Sequence, residues 1–152
     1  MSKSPPALAL PKWSQMRTDV MPPIDLQLLE RARAVRLCAG ITAEAFARFN
    51  IAVMRVRVGF NGPVEYLTAC NEPYHEGGIH SEEFLRAQLF DARRTGRDLR
   101  PDMLYTERIP CNMVCRELVR LNWPSAGVYY SVNERDESLS RGTTLMKRYG
   151  LG

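Results

Sequence analysis

His80-Ser81-Glu82-Glu83-Phe84-Leu85 sets an imidazole and a carboxylate two residues apart where helical spacing begins, and, with 27 residues between it and Glu82, the run Pro110-Cys111-Asn112-Met113-Val114-Cys115 sets two thiols four apart. Residues four apart on a helix share a face, so Cys111 and Cys115 can point at one ion. The partial positive charge of a helix N-terminus also favours the thiolates that a metal requires. A metal-activated water that attacks an amino-bearing aromatic carbon needs three protein ligands, an open position and a carboxylate near enough to move protons. His80, Cys111 and Cys115 are therefore the candidate ligands of a Zn²⁺ ion, and Glu82 is the candidate proton carrier. A loop histidine, a helix-capping acid and a chance cysteine pair are the bland alternative. Ordinary residue frequencies put their joint occurrence at this spacing at about one chance in ten thousand.

Working outward, Ser81 to Arg94 carries Phe84, Leu85, Gln88 and Leu89 at helical spacing, with two acids in its first turn and Arg93-Arg94 in its last. Before it, Ile51 to Phe60 alternates with period two, Asn61-Gly62 signals a hairpin, and Val64 to Cys70 returns as an antiparallel partner. The Pro- and Gly-bearing stretch from Asn71 to Ile79 reads as a loop that delivers the chain to His80. Beyond the polar linker Thr95 to Asp102, Met103 to Thr106 reads as a strand leading into the cysteines, whose helix runs to about Leu121. Gly127 to Val132 is a further strand, and Ser138 to Tyr149 a last helix. Near the start, Asp25 caps a helix with Leu26, Leu29, Ala32 or Arg33, and Leu37 at helical spacing, ending at Gly40. A short helix over Thr42 to Phe49 follows. The expected order is α, β-β, α, β, α, β, α.

Residues 1–23 hold five of the ten prolines and are expected to form an extended N-terminal arm over the surface, leaving 24–152 as the catalytic domain. The 152 residues, 45% apolar and 25% charged, suit a folded domain and argue against disorder. Apolar runs fall well short of the roughly 20 residues that span a bilayer, so no membrane association is expected. The net charge of +4 rests on 18 arginines against only Lys3, Lys12 and Lys147. Arginine forks suit phosphate, although a solvated basic surface explains the same charge. Four cysteines are too few for a disulfide scaffold, and a reducing compartment suits them. Cys38 and Cys70, among apolar neighbours, are expected to be buried thiols.

The pairing of His80-Ser81-Glu82 with Pro110-Cys111 and Cys115 resembles the H-x-E and P-C-x-x-C signature of the zinc nucleobase deaminases of the cytidine deaminase superfamily. The separation of Glu82 from Pro110-Cys111 is similar to that in APOBEC-type deaminases and tRNA adenosine deaminases. Three residues lie between the cysteines here instead of two, a longer gap that APOBEC-type sequences also show. The resemblance covers Asp25 to Tyr149 and implies a three-layer α/β/α fold, with a mixed four- to five-stranded sheet and helices on both faces. It implies that Glu82 takes a proton from the attacking water and passes it to the ring nitrogen and the departing ammonia.

Substrate contacts implied by position are Asn71 at the end of the second strand, Ser81 and Pro110 inside the motifs, and Tyr74, His75 and Tyr105 as aromatic groups able to stack on an extruded base. Of Tyr129 and Tyr130, one must face the sheet interior. Trp123 reads as packing, and Glu83 as a helix N-terminal acid. A helix after the last strand resembles polynucleotide-acting members, so cytosine in nucleic acid, DNA ahead of RNA, is the expected substrate. The family's fifth strand is not found before Gly152. The His-Ser-Glu-Glu form and the arginine content also look like bacterial polymorphic-toxin deaminase domains, which implies delivery into a target-cell cytoplasm and a cognate immunity protein as partner. Deamination of free nucleosides, of adenosine in RNA, or a non-catalytic zinc module remain open alternatives on these residues.

Overall fold

The computed structural model describes residues 13–15, 24–41, 49–71, 80–110, 115–132, 144 and 147. In chain order its elements are β1 (Trp13–Gln15), α1 (Leu26–Ala39), β2 (Ile51–Val58), β3 (Val64–Cys70), α2 (Ser81–Arg94), β4 (Leu99–Arg108), α3 (Cys115–Asn122) and β5 (Gly127–Val132). The expected helix over Thr42 to Phe49 lies outside the described residues apart from Phe49. Of the expected last helix only Thr144 and Lys147 are described, and both are helical.

The strands form one mixed sheet in the order β1-β5-β4-β2-β3. β2 runs antiparallel to both β3 and β4, while β5 runs parallel to β4 and to β1. Within the N-terminal arm, Trp13–Gln15 joins the sheet as a strand instead of only wrapping its surface. It occupies the position beside β5, and thus a fifth strand is supplied from the N-terminal side of the chain.

Strand alternation sends neighbouring residues to opposite faces, which builds two cores. Ile51, Val53, Tyr105, Tyr129 and Val132 pack under Leu28, Leu29 and Ala32 of α1. Ala52, Met54, Val56, Leu104 and Val128 pack against Leu85 and Leu89 of α2, Leu118 and Val119 of α3, and Trp123 just after it. The result is the three-layer α/β/α architecture, with α1 on one face and α2 and α3 on the other. Each fully buried leucine contributes roughly 1.5–3 kcal/mol relative to exposure.

Local chemistry fixes the element ends. Asp25 accepts the Gln27 N–H at 3.0 Å to start α1, and Gly40, at φ 68°, ends it in the left-handed region. Gly62 is required in the hairpin turn, because a Cβ there would lie 1.7 Å from the Val58 carbonyl oxygen. β4 starts at Leu99, earlier than the expected strand at Met103. Residues 99–102 fall in the stretch expected as a polar linker, but they extend β4, which accommodates Pro101 at a register shift opposite Arg55 and Val56, where a ladder donor is dispensable. Among the described residues, no helix is long and apolar enough to cross a membrane.

Candidate active site

Because β2 is antiparallel to β3 and β4, and β5 is parallel to β4, the start of β2 and the ends of β3, β4 and β5 share one end of the sheet. The chain enters α2 and α3 from that end. His80 caps α2, and the Glu83 carboxylate reaches back to accept the His80 N–H at 2.8 Å, which fixes the backbone that carries the imidazole. Glu83 thus serves as the helix N-terminal acid its position suggested. Cys115 opens α3 and is 1% exposed. One ligand atom from each of His80, Glu82 and Cys115 lies within 4.8 Å of the others.

Glu82 is 2% exposed. Its Oε1 accepts from the Thr106 hydroxyl at 3.2 Å and the Asn50 amide at 3.4 Å, and its Oε2 accepts from the Ser81 hydroxyl at 3.2 Å. Among the described residues these donors are all neutral. Sequence pattern alone does not distinguish Asn50 and Thr106. Their only advance signal is position, Asn50 immediately before an alternating strand and Thr106 at the end of the strand aimed at the cysteines.

The remaining expected contacts divide. Asn71 donates its N–H to the Asn50 carbonyl at 3.2 Å, and its side-chain Oδ1 accepts the Asn50 N–H at 2.6 Å, closing the end of the β2–β3 ladder. Ser81 is fully buried, its hydroxyl engaged by Asn50 and Glu82, so it lies beneath the carboxylate. Tyr105 is fully buried as well, in the core under α1, with its hydroxyl 2.6 Å from that of Ser131. It presents no ring face on which a base could stack, because strand alternation turns residue 105 to the face opposite Thr106. Pro110 is buried, and its carbonyl accepts the Arg116 Nε–H at 2.9 Å. Tyr74, His75 and Cys111 lie outside the described residues. Of the other aromatics, Tyr129 and Trp123 pack in the two cores.

A second buried carboxylate lies on the α1 side. Glu107 is fully buried and accepts from two guanidinium nitrogens of Arg36, Nη2 at 2.5 Å and Nε, while its Oε1 also accepts the Ile51 N–H at 2.9 Å. Burial pushes the Glu107 carboxyl above its ordinary range, against the opposing pull of Arg36 and the Ile51 N–H. Cys70 is half-buried, and burial raises its thiol. Cys38, by contrast, is exposed, since α1 turns residues 28, 29, 32 and 36 inward and leaves 38 on the opposite side.

An imidazole, a thiol and a carboxylate gathered at the mouths of two helices form a group able to hold a metal ion. Comparison with curated proteins, and with solved structures, returned no match. Comparison with protein-family models matches residues 47–149 to a family described as Xanthomonas-like deaminase. That span runs from just before β2 past β5 and contains His80, Glu82, Asn50, Thr106 and both cysteines of the motif. The chain therefore belongs to the Xanthomonas-like deaminase family.

Proposed function

We propose that this chain is a zinc-dependent hydrolytic deaminase that converts cytosine to uracil in nucleic acid, with DNA the favoured polymer. The observation that carries the reading is the cluster of His80, Glu82 and Cys115, with ligand atoms within 4.8 Å, inside a deaminase family. The donor set fits zinc, which takes imidazole nitrogen and thiolate sulfur. Cys111, four residues before Cys115, is the third ligand in this reading. The fit is also electrostatic. A buried carboxylate surrounded by neutral donors lacks a charge partner among the described residues, and a divalent cation beside it provides one.

A zinc ion bound there supplies a Lewis acid that brings the pKa of a water molecule near neutrality. The chain's own part falls to Glu82. It accepts a proton from the attacking water, delivers it to the ring nitrogen, and passes a second to the leaving amine, so that C–NH₂ and H₂O become C=O and NH₃. Ser81, Thr106 and Asn50 hold both carboxylate oxygens and keep it aimed during these transfers. Support for a polymer lies in the arginine-rich charge of +4 and in the resemblance of the C-terminal segment to polynucleotide-acting deaminases. The resemblance to toxin effector domains adds a cognate immunity protein as the partner of the same pocket.

The test is sequencing of single-stranded DNA, double-stranded DNA and RNA, with chromatography of free cytidine and adenosine, after incubation with the zinc-loaded protein and its Glu82→Gln variant. Cytosine conversion in a polymer by the wild type alone is the expected result. Conversion only of a free nucleoside overturns the polymer substrate, conversion of adenine overturns the base, and activity retained by the variant overturns the role of Glu82.

A further inference from the structure

At the site end of the sheet the strands part, and side chains finish the ladders that the backbone leaves open. β2 and β4 pair up to Ala52 and Thr106. One step beyond, the Ile51 N–H goes to the Glu107 carboxylate and the Arg108 N–H goes to the Asn50 Oδ1 at 2.8 Å. On the other side of β2, the Asn50 N–H goes to the Asn71 Oδ1. Asn50, 8% exposed, thus stands where β2, β3 and β4 separate, and its amide nitrogen faces the floor of the site.

The hydrogen-bond inventory fixes which way that amide points. A backbone N–H can only donate, so Arg108 requires the oxygen of Asn50 and leaves the NH₂ group for the other side. There it lies 2.8 Å from the Ser81 hydroxyl and 2.8 Å from the Thr106 hydroxyl. Each hydroxyl has one proton. Having accepted from Asn50, Ser81 directs its proton to Glu82 Oε2, while Thr106 divides its own between Glu82 Oε1 and the Arg108 carbonyl at 2.9 Å. Reversing the amide would set two donors against each other at Arg108 and turn both hydroxyls away from Glu82.

We infer that Asn50 is the positioning residue of this site, its amide setting the direction of the hydroxyl relay that holds the Glu82 carboxylate. This rests on the reading of Glu82 as the proton carrier. In that reading Asn50 meets neither the substrate nor the metal, and its amide reaches the chemistry only at Glu82 Oε1, 3.4 Å away. It acts through Glu82, and so its loss lowers turnover without weakening substrate binding.

Asn50→Asp is the test, because it keeps the shape and the acceptor for Arg108 but replaces the two donors with an acceptor and sets a second negative charge beside Glu82. On whichever substrate the wild type converts, kcat is expected to fall at least tenfold with KM within twofold. A kcat within twofold of wild type overturns the inference. The second readout needs no activity. In chelator-treated protein, Asn50→Asp lowers Tm, and Glu82→Gln in the same chain restores most of the loss. An equal Tm loss in both backgrounds shows that Asn50 does not act on Glu82, and the inference fails. If the single variant does not fold, a folded Asn50→Asp/Glu82→Gln protein supports the coupling and an unfolded one overturns it. If the wild type converts no substrate, the functional reading fails while the Tm comparison still decides whether Asn50 holds Glu82.

Discussion

Glu82 and Glu107 are two carboxylates buried at the same end of one sheet, on opposite faces, and they are held by opposite means. Glu107, under α1, meets a guanidinium that never gives up its charge, with a backbone N–H added on one oxygen. Glu82, on the α2 and α3 side, meets hydroxyls and an amide, with an imidazole and a thiol close by. A carboxylate fixed by a permanent cation is a structural tie, here joining α1 to the starts and ends of the central strands. A carboxylate held only by neutral donors keeps its place without having its charge cancelled, which suits the proton carrier proposed for it.

The same substitution at both sites breaks the comparison most directly. Glu82→Gln keeps the shape and is expected to lower kcat by about a hundred- to ten-thousandfold, the usual share of general acid–base catalysis. Its Tm should hold or rise, since a buried charge is removed. Glu107→Gln removes the charge opposite the 1%-exposed Arg36 and is expected to cost roughly 3–5 kcal/mol in denaturant unfolding, with activity per folded molecule less affected. Equal stability losses in the two variants would show that Glu82 is as structural as Glu107.

Cys115→Ala sharpens the contrast from the metal side. Removing this 1%-exposed thiol is expected to lower bound zinc well below one per chain and to lower Tm, because metal binding adds to folding free energy. A chelator should then have little further effect on the variant while still lowering the Tm of the wild type. Zinc retained at one per chain in the variant would remove Cys115 from the ligand set.

The same contrast explains what the sequence disclosed. The alternation in β2, its hairpin return in β3, the strand β5 and the helix over 81–94 were legible because apolar periodicity and turn residues state them directly. His80, Glu82 and Cys115 stand out in the sequence because metal chemistry restricts residue types and spacings, and the fold gathers their ligand atoms within 4.8 Å. Polar ties carry no such period. In α1 the apolar stripe of Leu26 and Leu37 looked inward, yet these residues are 57% and 69% exposed, and Arg36 is buried in their stead because its partner sits 71 residues away. Asn50 and Thr106 were hidden for the same reason, since a single amide or hydroxyl becomes significant only when the fold sets it against Glu82. Tyr105 stands near the motif in sequence, which suggests a substrate contact, but strand parity sends it to the other face. β1 escaped notice because three residues among prolines make no pattern.

Asp25 offers the mildest test, as a carboxylate that combines both modes of support on the exposed side of the same core. Its Oδ1 accepts the Gln27 N–H, and its Oδ2 receives the Tyr66 hydroxyl and the Arg55 guanidinium, the latter at 3.2 Å. Burial raises this carboxyl, but Tyr66, Gln27 and Arg55 together outweigh it and hold the carboxyl below its ordinary value. A carboxyl depressed in the folded state binds its proton less readily there than in the unfolded chain. Its contribution is therefore complete above the unfolded value of about 3.9 and is lost as pH falls through the folded one. Asp25→Ala is expected to cost about 1 kcal/mol at neutral pH, the usual worth of a helix N-cap, and the gap to wild type should narrow below about pH 4. Denaturant unfolding of both proteins across that range checks it. A gap that stays constant with pH would mean that the ionised carboxylate contributes nothing at Asp25 beyond its shape, leaving Glu107 as the structural carboxylate whose charge matters.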